Sequence, residues 1–406
     1  MTQLCRHCAT PLSIRFLDLG FAPPSNAYLS PVDLRKPELT FPLRLLACGD
    51  CRLVQTEDFA AADALFTDDY AYFSSTSKGW LEHAARYANM VTERFGLGAD
   101  SHVMEIASND GYLLKNFVAK GIPCVGVEPT ESTAAAARAL GIPVVQEFFG
   151  MELSASLEQA DLIAGNNVYA HVPDINDFTE ALKVSLKPEG VITLEFPHLM
   201  RLVEFRQFDT VYHEHFSYLS LLAVDRIFAA AGLRIFDVEE LPTHGGSLRV
   251  FGCHDGAGHP QDNSVAALME QERARGMDRD DFYLAFQSQA DDVKNDFLGF
   301  LLQAKAEGKS VAGYGAAAKG NTIMNYAGVR PDLIPFICDA APAKIGKLMP
   351  GSHIPILAPS ALRENRPDYL IILPWNIAAE VKAQCSDLAA LGTRFVTAVP
   401  TLEVSE

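Results

Sequence analysis

Residues 105–111 read Glu105-Ile106-Ala107-Ser108-Asn109-Asp110-Gly111, and their setting is informative. The run follows the apolar segment His102-Val103-Met104. It precedes Tyr112-Leu113-Leu114-Lys115-Asn116-Phe117, whose apolar positions have helical spacing. An acid ends a strand, a small polar turn closed by glycine follows, and a helix starts. About twenty residues on, a second strand, Pro123-Cys124-Val125-Gly126-Val127, ends in Glu128. A doubly wound domain holds an adenosyl group in this way: the loop passes close to the ligand and the second acid takes the ribose hydroxyls. No Gly-x-Gly-x-x-Gly occurs here, so no helix N-terminus is built to take a pyrophosphate. The ligand this pattern favours is S-adenosylmethionine rather than NAD.

The same alternation continues outward from this corner. Strands are expected at 102–106, 123–128, 143–147, 161–166 and 191–196. Helices are expected at 80–95, 111–119, 131–140 and 175–186. Such a series predicts a parallel sheet covered on both faces, with ligands at the carboxyl ends of the strands. Glu105, Glu128 and Asn166 all fall at such ends.

With 406 residues the chain is too long for one core, and two or three domains are expected. Apolar residues make up 49%, as in an ordinary globular protein. A net charge of −18 argues against nucleic acid or an anionic membrane as partner, while leaving room for a local cationic pocket. No apolar run of membrane-spanning length and no secretion signal is visible, so a cytoplasmic enzyme is expected, and a monomer is plausible.

Four of the eight cysteines form two C-x-x-C pairs, Cys5/Cys8 and Cys48/Cys51. Each pair puts two thiolates on one side of a tight turn, and two turns make a tetrahedral zinc site. A redox dithiol is the alternative, and His7 is a substitute ligand. Four thiolates leave no open position, so the metal is expected to be structural. The remaining cysteines are scattered in apolar runs and read as buried small hydrophobes.

A dense set of titratable groups lies at Asp209-Thr210-Val211-Tyr212-His213-Glu214-His215-Phe216-Ser217-Tyr218. Such groups suit proton transfer near neutral pH. Two other readings stand beside this one. His213 and His215 fall on one side as metal ligands only if the segment is extended, and the run can also be a packed structural cluster. Residues 254–264 read as a linker, and a long polar helix is expected across 265–307. A second strand–turn–helix unit starts at Val311-Ala312-Gly313-Tyr314-Gly315-Ala316-Ala317-Ala318-Lys319-Gly320. Its small residues let backbone approach an anion and Lys319 adds charge. Asp339 ends the next strand. Read alone, this half-dinucleotide fold makes an NAD-dependent oxidoreductase the second functional reading; an emptied structural domain and a zinc-ribbon interaction protein are further ones.

Taken together, these motifs resemble the S-adenosylmethionine-dependent sugar C-methyltransferases of deoxysugar pathways, such as the tetronitrose 3-C-methyltransferase. The resemblance rests on the paired C-x-x-C module, Asp69-Tyr70-Ala71-Tyr72-Phe73-Ser74-Ser75 and residues 105–111. It continues through Asn166-Asn167-Val168-Tyr169-Ala170-His171-Val172-Pro173-Asp174 and Tyr212-His213-Glu214-His215-Phe216-Ser217. It ends with His244-Gly245-Gly246-Ser247-Leu248-Arg249 and residues 313–320. It implies a Rossmann-like methyltransferase core (69–255) between a zinc-binding module (1–68) and a C-terminal Rossmann-like domain (256–406). The implied substrate is a nucleotide-linked, usually dTDP-linked, 4-ketosugar, with the C-terminal domain taking its nucleotide diphosphate. For the cofactor the implied residues are Glu105, Ala107, Asn109, Gly111, Glu128, Pro129, Phe148, Phe149 and Asn166. For the substrate they are Tyr314, Lys319, Asn321 and His244. For chemistry the resemblance makes His215 the base, with Glu214 as orienter or alternate base. Tyr212 and His171 are to hold the enolate oxygen, and Tyr72 is to cover the sugar.

Overall fold

The computed structural model describes residues 3–57 and 73–405. Tyr72 and most of the 69–75 motif lie outside the described residues.

The two C-x-x-C turns are built alike. Cys5 N donates to Thr10 O and Ala9 N to Cys5 O; Cys48 N donates to Leu53 O and Arg52 N to Cys48 O. Ala9 (φ 59°) and Arg52 (φ 66°) close the two turns in the left-handed region. Strands β1 (Ile14–Ala22), β2 (Phe41–Ala47) and β3 (Val54–Thr56) form an antiparallel sheet beside them.

The central domain contains β4 (Val103–Ile106), β5 (Cys124–Val127), β6 (Val144–Val145), β7 (Ala160–Asn166) and β8 (Leu186–Pro197). Next comes β9 (Ser217–Tyr218), which returns to pair with β3 and ties the N-terminal module to the core. The hairpin β10 (Leu233–Leu241) and β11 (Ser247–His254) completes the main sheet. Its order is β10-β11-β8-β7-β4-β5-β6, with β11 antiparallel to β8. Alternate residues serve opposite faces. Val103, Leu162, Ala164 and Val191 pack under the helix Lys78–Phe95, while Met104, Ile163, Ile192 and Leu194 join the core of helices Ile175–Val184 and Leu221–Ala230. Burial on both faces is why these strands read as continuous apolar runs.

Two helices differ from expectation. The one after Gly111 is only Lys115–Val118, because residues 112–114 form a turn that tucks Leu113 and Leu114 fully into the core. The long polar helix is three: Asn263–Ala274, Asp280–Leu284 and Phe286–Ala306. Gly276 (φ 87°) ends the first, its N–H donating to Arg273 O while Met277 N donates to Glu272 O. The expected linker 254–264 packs on the core. Arg234 donates to the carbonyls of Ala257 and His259, and His259 stacks on Phe236 at 4.9 Å.

The C-terminal sheet comprises β12 (Val311–Tyr314), β13 (Ile337–Cys338), β14 (Ile356–Leu357), β15 (Tyr369–Ile372), β16 (Arg394–Thr397) and β17 (Glu403–Ser405). The order is β14-β13-β12-β15-β16-β17, parallel except for β17. The core and this domain meet at residues 208–218: Thr322 Oγ1 donates to Val211 O at 3.0 Å, and Phe208 packs on Tyr326.

Candidate active site

The corner after β4 is conformationally demanding. Ala107 (φ 57°), Asn109 (φ 49°) and Gly111 (φ 79°) are all left-handed. A side chain at Gly111 would meet Ile142 Cδ1 at 2.4 Å, so glycine is required there. Strain of this kind in non-glycine residues collects at ligand sites. The corner is held by Glu128: Oε2 accepts from Asn109 N at 2.9 Å, and Oε1 accepts from Thr130 N and Thr133 Oγ1. From the other side, Ser74 N donates to Asn109 Oδ1 and Ser75 N to Asp110 Oδ2.

Several buried acceptors at this corner have no hydrogen-bond partner among the described residues: both Glu105 carboxylate oxygens, Ser108 Oγ, Asp110 Oδ1 and Asn166 Oδ1. Burial pushes the Glu105 carboxyl well above the usual range, and the neighbouring Glu128 and Asp110 charges add to this. The Tyr112 hydroxyl works against that rise, yet acceptors outnumber donors at this corner, which fits a ligand that brings positive charge and N–H or O–H groups. The ammonium, sulfonium and ribose hydroxyls of S-adenosylmethionine meet that requirement. Pro129 is half-buried beside Glu128. Phe149 packs edge-on against Phe178 at 5.2 Å, which is core packing, while Phe148 is 60% exposed.

The 212–218 segment carries the second group of candidate residues. It is not extended: a turn at 213–214 brings His215 N to Tyr212 O. The turn sends His213 toward the N-terminal module, where its Nε2 lies 3.3 Å from Phe41 O. His215 faces inward, with ring centroids 4.5 Å from His171, 4.8 Å from Tyr212 and 5.8 Å from Tyr218. The two histidines therefore diverge, and the metal reading of this pair does not hold.

The Thr210 backbone lies beside the His215 ring and favours its charged form. The Glu214 carboxylate lies 3.4 Å from Asn26 Nδ2 of the N-terminal module. His171 Nδ1 donates to the Glu214 carbonyl at 2.8 Å, which uses the one proton of the neutral ring. It is not suited to donate to an enolate oxygen. Burial depresses all three inward imidazoles: His215 well below its ordinary value, and His171 and His244 to about 4. A charge on Lys319 adds to the depression of His215 and His244. Burial also raises Glu214 to about 7. A neutral imidazole has a lone pair to accept a proton at physiological pH, and the depression makes it a weaker base than a free histidine.

His244 (φ 55°) enters on the loop between β10 and β11, and its ring meets Trp80 at 5.2 Å. Trp80 also stacks on Tyr112, whose hydroxyl accepts from Asn166 Nδ2, so one indole spans the two halves of the pocket. Lys319 reaches in from the C-terminal domain. Its Nζ is buried 4.4 Å above the Trp375 ring, and Trp375 Nε1 donates to Asp209 Oδ2 at 2.7 Å. Tyr314 donates to Gln384 and packs in the outer core, while Asn321 Oδ1 accepts from Asn325; neither is hydrogen bonded to this cluster. Asp209, Trp375 and Trp80 carried no assignment from sequence. Trp375 had one signal, its position just after a parallel strand.

The anion site expected after β12 is filled by the chain itself. Asp339 accepts from Ala316 N and Ala341 N, both at 2.8 Å. Lys344 Nζ and Tyr28 Oη donate to Ala316 O. The acid that would take a dinucleotide ribose is thus spent on backbone, and the oxidoreductase reading is not supported.

In the N-terminal module the four cysteine sulfurs lie within 4.8 Å of one another, with Cys5–Cys51 and Cys8–Cys48 each at 3.5 Å. This cluster fits a tetrahedral thiolate site, and Gln55 Nε2 donates to Cys5 Sγ as an outer support. No other metal-type cluster occurs among the described residues.

Residues 242–400 match the family model described as the C-methyltransferase C-terminal domain, residues 80–238 a methyltransferase domain, and residues 5–66 a domain described as zinc binding. The C-methyltransferase NovU of Streptomyces niveus is 32% identical over 98% of this chain and 95% of its own length. The chain belongs to the C-methyltransferase family. It is an S-adenosylmethionine-dependent C-methyltransferase with a zinc-type N-terminal module. Solved structures are similar to part of the chain at low identity. A methyltransferase from a Haloferax volcanii activator complex is 16% identical, covering 46% of this chain and 94% of its own, with a TM-score of 0.37. An S-adenosylmethionine-dependent methyltransferase from Clostridium acetobutylicum is 12% identical, covering 43% and 92%, with a TM-score of 0.35. No helix among the described residues is long and apolar enough to cross a membrane.

Proposed function

We propose that this C-methyltransferase alkylates a carbon next to the ketone of a nucleotide-linked, dTDP-type 4-keto deoxysugar. The observation that carries the reading is the polarity of the pocket. Partnerless acceptors collect at Glu105, Asp110 and Asn166, while neutral imidazoles and one buried ammonium collect around His215. The first set suits a cationic methyl donor, and the second suits removal of a proton next to a carbonyl.

His215 takes the proton, since its ring is neutral and faces inward between His171 and Tyr212. Tyr212, whose ring lies 4.8 Å from His215, supplies a hydroxyl for the developing oxygen charge. Glu105, Asn166 and Glu128 hold the methyl donor, which supplies an electrophilic sulfonium methyl when bound. Tyr212 and Tyr218 are buried and flank the half-buried His215 ring, which limits the water that would quench the carbanion. Zinc in the Cys5/Cys8/Cys48/Cys51 site supports the sheet that presents Asn26 and pairs with β9. The test is mass spectrometry of products from a panel of dTDP- and GDP-linked 4-ketosugars with S-adenosylmethionine. A mass gain of one methyl on a ketosugar, located on carbon, supports the proposal. No transfer to any member of the panel refutes it.

A further inference from the structure

Lys319 is the least explained charge in the molecule. Its Nζ is buried and has no hydrogen-bond partner among the described residues. It stands over the Trp375 ring at 4.4 Å. That ring is itself clamped: its Nε1 donates to Asp209 Oδ2 at 2.7 Å, and Gly245 (φ 90°) lies against its far edge, where a Cβ would meet Cη2 at 2.4 Å. Asp209 Oδ1 and His244 Nδ1 are also buried without partners. Lys319 joins the site through contacts: it covers Trp375, Trp375 abuts Gly245, and His244, the residue before Gly245, meets Trp80; its charge also acts on the His244 and His215 rings.

We propose that Lys319 is the fixed cation that takes the substrate's ketone oxygen and holds it as the enolate forms, so that the C-terminal domain contributes a catalytic group to the methyltransferase pocket. This rests on the ketosugar reading above. The other anion a nucleotide sugar offers is its diphosphate, and the surroundings disfavour it. Lys319 and Asp209 together are close to neutral, so a buried diphosphate would bring two charges with no compensation. A ketone is neutral on arrival and becomes charged only as the proton leaves. A preorganised ammonium then acts on the transition state and little on the ground state. Lys319 adds a full charge to the neutral Tyr212 hydroxyl at that oxygen, while His171 has its one ring proton committed to the Glu214 carbonyl.

The electrons balance. His215 removes the proton, the C–H pair becomes the C=C bond, and the carbonyl π pair moves to the oxygen held by Lys319. The pair then returns to form C=O while the carbon takes the sulfonium methyl. The old S–C pair stays on sulfur as a neutral thioether, and the proton leaves His215 to solvent.

The test uses the full-length enzyme with Lys319→Met, and Lys319→Gln as a second neutral variant. Four quantities are measured: kcat and KM with the ketosugar, exchange of its α-proton with deuterium oxide, affinity for dTDP by calorimetry, and affinity for S-adenosylmethionine. The expected result is a fall in kcat of about 10²–10³, a matching loss of exchange, and dTDP and S-adenosylmethionine affinities within about twofold of wild type. A weakening of dTDP with near-normal kcat makes Lys319 a diphosphate ligand and overturns the proposal. Normal values throughout, or loss of S-adenosylmethionine binding in both variants, assign it a structural role and also overturn it. The ketosugar reading fails separately, through a wild-type enzyme that methylates no ketosugar.

Discussion

The pH profile of the enzyme tells apart two neighbouring residues that sequence leaves equivalent. Burial raises the Glu214 carboxyl to about 7, and burial pulls the His215 imidazole well below its ordinary value. A general base works only when deprotonated. A group titrating at about 7 is ionised in roughly one molecule in ten at pH 6 and nine in ten at pH 8. With Glu214 as base, kcat/KM falls about tenfold between pH 8 and pH 6. With His215 as base, the same interval is flat, because the ring is already neutral throughout. Asp209, raised by burial to about 6, is the other group titrating near this window, and Asp209→Asn isolates its contribution. His171 and His244, at about 4, lie below it. The geometry favours His215, and His215→Asn is expected to lower kcat by roughly 10²–10⁴, or about 2.7–5.5 kcal/mol of barrier. Binding of S-adenosylmethionine should persist, since the ring faces His171 and Tyr212 rather than the 105–111 corner. His213→Asn should do far less, because that ring contacts Phe41. The assay is kcat/KM against pH on a dTDP-linked ketosugar for wild type and each variant. A limb at about pH 7 that disappears in Glu214→Gln, together with a near-normal His215→Asn rate, would refute the assignment.

Freshly purified protein should contain one zinc per chain by elemental analysis, and Cys48→Ser should lower the melting temperature, since a closed thiolate site contributes folding energy. Glu128→Gln should weaken S-adenosylmethionine by roughly ten- to a hundredfold in calorimetry, the loss of a charge-assisted bond worth about 1.5–3 kcal/mol. The glutamine is chosen over alanine because Glu128 also holds Asn109 N, Thr130 N and Thr133 Oγ1. Glu272→Ala should cost about 3 kcal/mol or more in urea unfolding, because the buried carboxylate accepts from His198, Leu221 N and Leu222 N and all three lose their partner.

What the sequence determined by itself was local. The 105–111 corner, Glu128 and Asn166 were legible because strand, turn and helix follow one another within a few residues, and acids at strand ends have one place to go. The C-x-x-C turns were legible for the same reason: each is closed by its own backbone hydrogen bonds. The half-dinucleotide shape of the C-terminal domain was legible too. Its use was not, because Lys344 and Tyr28, which help to fill the anion site, come from outside the loop. The run at 209–218 announced titratable groups without their directions. Whether His213 or His215 turns inward depends on a turn at 213–214 that packing selects, not on a repeating pattern. The partnerships that define the site are longer still. Trp375 meets Asp209 across 166 residues, Asn26 meets Glu214 across 188, and Lys319 enters from a separate sheet. No spacing rule links such positions. Only the docking of three sheets on one segment brings them together, and the same burial that removes water there sets the protonation states on which the chemistry depends.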